Sequence, residues 1–283
     1  MKNISFDDLK NKVCVLTGGA GVIGSSTAEA LATAGIKTAI LDINLEFAEK
    51  AASFINKKTK ADTFGVQADV LNLESLKNAK QIINERFGKI DFLINGAGGN
   101  SPKATTQVEN MEKSEPPGFE KSFFGLDISG FDWVFNLNFK GTVLPTMVFA
   151  QDMVEKGKGV ILNISSMNSY RPLTKIPAYS AAKASVNNFT QWLAVHLAKV
   201  GVRVNAIAPG FFLTKQNRFL LVDEKSGQPT PRGKKIIAST PMGRYGETEE
   251  LQGTVLYLLS DISKFITGVI IPVDGGFSAY GGV

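Results

Sequence analysis

Histidine and cysteine are almost missing from this chain: His196 and Cys14 are the only ones in 283 residues. A single cysteine excludes an intrachain disulfide, and a single histidine makes a histidine-based triad or a multi-histidine metal site hard to build, so no metal is expected. No apolar run reaches the roughly 18 residues that a membrane-spanning helix needs. The first eleven residues are polar and lack the apolar core of a signal peptide. Membrane insertion and secretion are therefore unsupported, and a cytoplasmic protein is the expectation. No repeat, low-complexity tract or clear linker interrupts the sequence. Basic residues outnumber acidic ones 31 to 26, giving +5, but no dense basic run, zinc-ligand spacing or helix-turn-helix signature accompanies the excess. Nucleic acid is not an expected partner. The surplus suits an anionic small molecule, or solubility alone. Lys57-Lys58-Thr59-Lys60 fits the solvated end of a helix.

What is present is a core-forming alternation. With 43% hydrophobic residues, the chain can bury a substantial core in one domain spanning 1–283. Seven apolar segments, at 13–16, 38–41, 63–67, 92–95, 159–164, 203–208 and 269–273, are separated by helical patterns. That order predicts an α/β fold with a parallel sheet. Cys14 alternates with Val13 and Val15 in the first segment, where it is expected as a small buried hydrophobe.

After that first strand comes Thr17-Gly18-Gly19-Ala20-Gly21-Val22-Ile23-Gly24, followed by a helix running to Ala34. A strand, a glycine-rich turn and a helix form a phosphate cradle: the backbone approaches a pyrophosphate closely, and the helix N-terminus adds N–H donors. The next strand ends at Asp42, where a carboxylate can accept hydrogen bonds from a ribose 2′-hydroxyl and oppose a 2′-phosphate, favouring NAD over NADP. Asp42 can equally cap the helix from Leu45.

Tyr179 and Lys183 stand four residues apart on a predicted helix, with Ser166 thirteen positions upstream at the end of an apolar strand. The spacing puts a phenol and an ammonium on one helical face. An adjacent cation favours the phenolate and brings the phenol toward its working range as acid or base. His196, seventeen residues after Tyr179, falls off that face, and a structural role is expected.

These motifs, with Ala68-Asp69-Val70, Asn95-Gly96-Ala97-Gly98, Asn138-Phe139-Lys140-Gly141, Asn163-Ile164-Ser165-Ser166, Pro209-Gly210 with Thr214, and Val273-Asp274-Gly275-Gly276, stand in the order of the short-chain dehydrogenase/reductase family. The chain resembles that family from about Lys12 to its end. It departs where Val22 replaces a usual glycine, which predicts a slightly altered turn with its cradle kept. The resemblance implies a Rossmann-type three-layer sandwich, with a seven-stranded parallel sheet and helices on both faces. It implies that Tyr179 is the acid/base, Ser166 holds the substrate oxygen, Lys183 binds the nicotinamide ribose, and Asn138 anchors a water in the proton relay. Around NAD (NADH) it would place Gly18, Gly21, Val22, Ile23, Gly24 and Asp42. Asp69 and Val70 would bracket the adenine, Asn95, Gly96 and Ala97 would line the cofactor, and Thr214 would hold the carboxamide after Pro209 and Gly210. A homotetramer, formed through the tyrosine-bearing helix and the C-terminal segment, is also implied.

Substrate identity is expected in two segments: an insert near 99–128 after a strand end, with a surface loop as the other reading, and a lid near 211–240. Asn168 and Arg171 follow Ser166, where a carboxamide can serve a sugar hydroxyl and a guanidinium can clamp a carboxylate or sit at an interface. At a finer level, the segments around Asn95, Ser166 and Phe211 resemble a branch of the family, the D-mannonate oxidoreductases (fructuronate reductases), whose relatives are often described as gluconate 5-dehydrogenases. That resemblance implies a linear sugar-acid substrate. Carrier-protein reductases of 3-oxoacyl groups share the tetrad, and a non-catalytic cofactor-binding protein is the alternative of another class.

Overall fold

The structure, a computed structural model, describes residues 5–113, 118–213, 218–224 and 226–282. Seven strands, β1 (Val13–Thr17), β2 (Lys37–Asp42), β3 (Thr63–Gln67), β4 (Phe92–Asn95), β5 (Gly159–Ile164), β6 (Val202–Pro209) and β7 (Ile270–Val273), form one sheet in the order β3-β2-β1-β4-β5-β6-β7. Every pair is parallel. The predicted segments and the observed strands agree to within a residue at each end, because strands buried on both faces are continuous apolar runs.

Alternate residues of each strand feed two cores. Cys14, Leu16, Ile40, Ile94 and Leu162 face α1 (Val22–Thr33), α2 (Leu45–Thr59) and α9 (Gln252–Leu259). Val13, Val15, Leu41, Leu93, Ile161 and Val204 face α3 (Leu73–Phe87), α5 (Gly141–Lys156) and α6 (Pro177–Leu197). The expected three-layer sandwich is therefore present. Cys14 is fully buried, and burial pushes its thiol well above the usual range. Lys57 and Lys58 occupy the last turn of α2, and Lys58 pairs with Glu29.

The sheet's order reverses between β1 and β4, which opens a crevice at their C-terminal ends. Thr17, Asn95 and Asn163 are in register across β1, β4 and β5 at that edge. Between α4 (Ile128–Phe135) and α5, residues Asn136–Lys140 take a π-helical turn, a local widening often found at functional sites. Two shorter helices, α7 (Arg218–Leu221) and α8 (Pro231–Ala238), lie in the segment after β6.

Candidate active site

Glycine-rich backbone forms the floor of the crevice. Gly18 has φ +64°, and a Cβ there would lie 2.8 Å from the Cα of Ala97 in the loop after β4. A Cβ at Gly24 would lie 2.4 Å from the Gly18 carbonyl, and one at Gly96 would lie 2.8 Å from the Thr17 carbonyl. Thr17 has no role in the sequence-based site, yet its Oγ1 accepts from the N–H groups of Gly96 (3.1 Å) and Ala97 (3.2 Å), tying the two loops together. Gly21 is the N-cap of α1 at φ −69°, and no side chain caps it. The helix therefore presents its first N–H groups to the crevice. Val22 and Ile23 are its first helical residues, and the helical conformation makes no demand for glycine, so the departure at Val22 is absorbed.

Asp42 ends β2, and its Oδ1 accepts from the Asn44 N–H at 3.0 Å. The N-cap of α2 is Asn44, whose side chain accepts from Phe47, so the capping role considered for Asp42 belongs to its neighbour. Past the end of β3, the Asp69 Oδ1 accepts from Leu71, and Val70 is buried against Gly141. At the far side, Pro209 ends β6, and the Gly210 N–H donates to the Val273 carbonyl at 2.9 Å. Thr214 lies outside the described residues.

The tetrad gathers at the same edge. Ser166 follows β5, Tyr179 and Lys183 project from α6 one turn apart, and Asn138 sits in the π-helical turn. Ser166 stands close enough to the Tyr179 phenol to favour its ionised form. The Lys183 ammonium donates to the Ile164 carbonyl at 2.8 Å and stands 5.7 Å from the centroid of the Tyr179 ring. A Cβ at Gly98 would come within 3.2 Å of Nζ, so only a glycine leaves this approach open. Protonation differs from the expectation of a lowered phenol. Burial raises the Tyr179 pKa, with the nearby Ser166 opposing it. Burial also lowers Lys183 to about 8. Desolvation disfavours the charged form of each partner.

Two asparagines bond extensively within the protein. Asn138, fully buried, donates from Nδ2 to the carbonyls of Gly99 (2.7 Å) and Val134 (2.8 Å) and accepts from the Gly99 N–H (3.3 Å). Its side chain braces the loop after β4. Asn95 donates to Asn163 (2.8 Å) and Thr146 (3.0 Å), and Asn163 donates to Thr190 (2.8 Å), so the Asn95 carboxamide staples β4 and β5 to α5 and α6.

Among the segments expected to carry substrate identity, the described part of the insert is held by defined bonds. The Thr106 N–H donates to the Lys175 carbonyl (2.9 Å), Lys175 Nζ to the Gln107 carbonyl (2.7 Å), and the Gln107 N–H to the Lys121 carbonyl (2.9 Å). Lys235 of α8 pairs with Glu109 of the insert at 3.0 Å, joining the two segments. Residues 114–117 of the insert and 214–217 and 225 of the lid lie outside the described residues. Arg171 is exposed, and its guanidinium donates from one nitrogen to the Tyr280 carbonyl, tying the loop after β5 to the C-terminal segment. Asn168 is buried beside Ser166, its N–H donating to Ser166 Oγ at 3.2 Å. His196 stacks on Trp192 on the outer side of α6, with ring centroids 4.9 Å apart. Among the described residues, no cluster of three or more histidine, cysteine or acidic side chains could hold a metal ion, and no helix is long and apolar enough to cross a membrane.

Comparison with known proteins covers nearly the whole chain. The family model described as enoyl-(acyl carrier protein) reductase matches residues 18–278. An uncharacterized oxidoreductase of Haemophilus influenzae is 52% identical over 278 residues, covering 98% of this chain and 96% of its own. UxuB of Bacillus subtilis, also an uncharacterized oxidoreductase, is 50% identical over 280 residues, 98% of each chain. The crystal structure of a candidate D-mannonate oxidoreductase of Haemophilus influenzae, with bound NAD, matches at a TM-score of 0.90 and 51% identity over 97% of this chain and 98% of that one.

Proposed function

This chain belongs to the short-chain dehydrogenase/reductase family as an NAD-dependent oxidoreductase acting on CH–OH groups, and from that premise we propose that it interconverts a keto sugar acid and its hydroxy acid, fructuronate and D-mannonate first among them. The observation that carries the chemistry is the convergence of Ser166, Tyr179 and Lys183 on a crevice whose opposite wall is the uncapped start of α1. The cradle fits a dinucleotide: the close approaches at Gly18 and Gly24 leave no room for side chains, and Asp42 stands at the end of β2 for a ribose diol. Gly18, Gly21, Val22, Ile23, Gly24 and Asp42 would hold NAD, with Asp69, Val70, Gly96, Ala97, Pro209 and Gly210 along its length. Bound there, the nicotinamide supplies or accepts the hydride.

The protein's own residues handle the proton. Ser166 hydrogen-bonds the substrate oxygen and orients it toward the Tyr179 phenol. Tyr179 gives its proton to that oxygen during reduction and removes it during oxidation. A cationic Lys183 one turn away favours the phenolate that reduction leaves behind. Asn138 positions the loop carrying Gly98 and Gly99, which keeps space open at the Lys183 ammonium.

The substrate reading is supported by the likeness, over nearly its whole length, to the candidate D-mannonate oxidoreductase. The net charge of +5 suits an anionic substrate. The insert and the segment after β6 would close over the substrate, and a cytoplasmic homotetramer is the assembly proposed. The experiment is to follow the absorbance of reduced nicotinamide with fructuronate, 5-ketogluconate and an acetoacetyl thioester. Fructuronate should be the fastest of the three with NADH. Faster reduction of 5-ketogluconate would move the assignment to a gluconate 5-dehydrogenase, and thioester activity alone would move it to carrier-protein reduction.

A further inference from the structure

We propose that Asn168 is a specificity-determining residue that hydrogen-bonds a substrate hydroxyl close to the carbon being reduced, so that the site selects polyhydroxylated ketones. This rests on the reading of Ser166 and Tyr179 as the groups that hold the reacting oxygen. Ser166 caps the short 3-10 turn Met167–Ser169, and its Oγ accepts the Asn168 N–H at 3.2 Å. Residue 168 is thereby fixed next to the hydroxyl assigned to the substrate oxygen.

The neighbouring polar side chains are all satisfied within the protein. Ser169 Oγ donates to the Ser166 carbonyl (2.6 Å) and accepts from Asn187 Nδ2 (2.8 Å), while Ser165 Oγ donates to Asn187 Oδ1 (2.5 Å). Asn168 is only 6% exposed, and its buried Oδ1 has no hydrogen-bond partner within the chain, a state shared among the described residues by Thr63, Asn84, Asn95 and Tyr245, none of which bonds Ser166. A buried, unpaired acceptor destabilises a fold, and buried polar groups in native proteins are nearly always paired. The place of Asn168 beside Ser166 points to a partner that arrives with the substrate.

A carboxamide carries an acceptor and two donors, and a hydroxyl both donates and accepts. A hydroxyl therefore satisfies Asn168 whichever way the amide is turned. A ketone without neighbouring hydroxyls leaves the acceptor orphaned, and sites built to hydrogen-bond a hydroxyl reject analogues lacking it far more strongly than apolar pockets reject a missing methylene.

The test compares fructuronate with 5-oxohexanoate, which keeps the carbon skeleton, ketone and carboxylate but has no hydroxyl. Asn168→Leu should lower kcat/KM for fructuronate by about ten- to a hundredfold and for 5-oxohexanoate by less than about threefold. Asn168→Asp, which keeps an acceptor, should lose less on fructuronate. NADH affinity should hold in both. The ratio of the two kcat/KM values is internal to each variant, so it stands even if a variant folds in part. Equal losses on both ketones, or no loss on fructuronate, would overturn the assignment of Asn168 alone. If the wild-type enzyme itself uses 5-oxohexanoate as well as fructuronate, the sugar-acid reading and the role of Asn168 fall together.

Discussion

A lysine ammonium buried without a carboxylate partner surrenders its proton more readily than an exposed one, and Lys183, brought to about 8 by burial, is in that position. Its folded pKa lies below the usual lysine value, so the buried ammonium costs stability at pH below 8. That cost is relieved as pH rises from about 8 toward 10.5. Activity runs the other way. Reduction needs the cation to favour the phenolate, so kcat/KM for ketone reduction should fall through a limb near pH 8, measurable as a pH profile at saturating NADH. A flat profile to well above pH 9 would contradict this role. Tyr179→Phe removes the acid and keeps the ring, and turnover should drop by at least about a hundredfold with NADH affinity unchanged. Near-wild-type turnover would sink the assignment. Asp42 belongs to the same scale: Asp42→Ala should weaken NADH and improve NADPH, narrowing the ratio of their kcat/KM values. A wild-type enzyme that prefers NADPH would refute the reading of this carboxylate.

At the scale of elements, the turn from β1 into α1 shows which glycines are needed. Val22 is accepted because it occupies a helical position, whereas Gly24 is required because a Cβ there meets the Gly18 carbonyl at 2.4 Å and Gly19 Cα at 2.7 Å. Gly24→Ala must shift backbone. We expect a loss of about 1–3 kcal/mol in stability, the usual cost of overpacking, with NAD affinity falling by about tenfold or more. Gly253→Ala in α9, with open space around the new methyl, is the control that should leave NAD affinity unchanged and raise stability by about 0.4–1 kcal/mol. Thermal unfolding and cofactor titration read both. The need for glycine in this turn was legible in the sequence, since a strand, a glycine run and a helix follow one another locally. The order of the insert was not, because its bonds reach Lys175 and Lys235, far along the sequence.

For the whole molecule, the outward side of α5 and α6 carries Met147, Trp192 and Val195, exposed at 59%, 58% and 80%. Exposed apolar residues gathered on two neighbouring helices favour association. Light scattering should find a tetramer, and Val195→Glu should shift it to smaller species. A monomeric wild type would remove this proposal. The seven strands, the cradle, Asp42 at a strand end and the one-turn spacing of Tyr179 and Lys183 were legible in the sequence, because continuous apolar runs, a glycine run and the 3.6-residue helical period are all local signals. The hydrogen bonds of the asparagines and Arg171 emerged with the fold. Asn95 donates to Asn163 and Thr146, Asn138 to Gly99, and Arg171 to Tyr280, while Asn95 and Asn168 each keep an unpaired acceptor. The reason is physical: a polar side chain's role follows from which partners reach it once it is buried. Here those partners come from strands and loops brought together where the sheet order reverses, at separations no local pattern records.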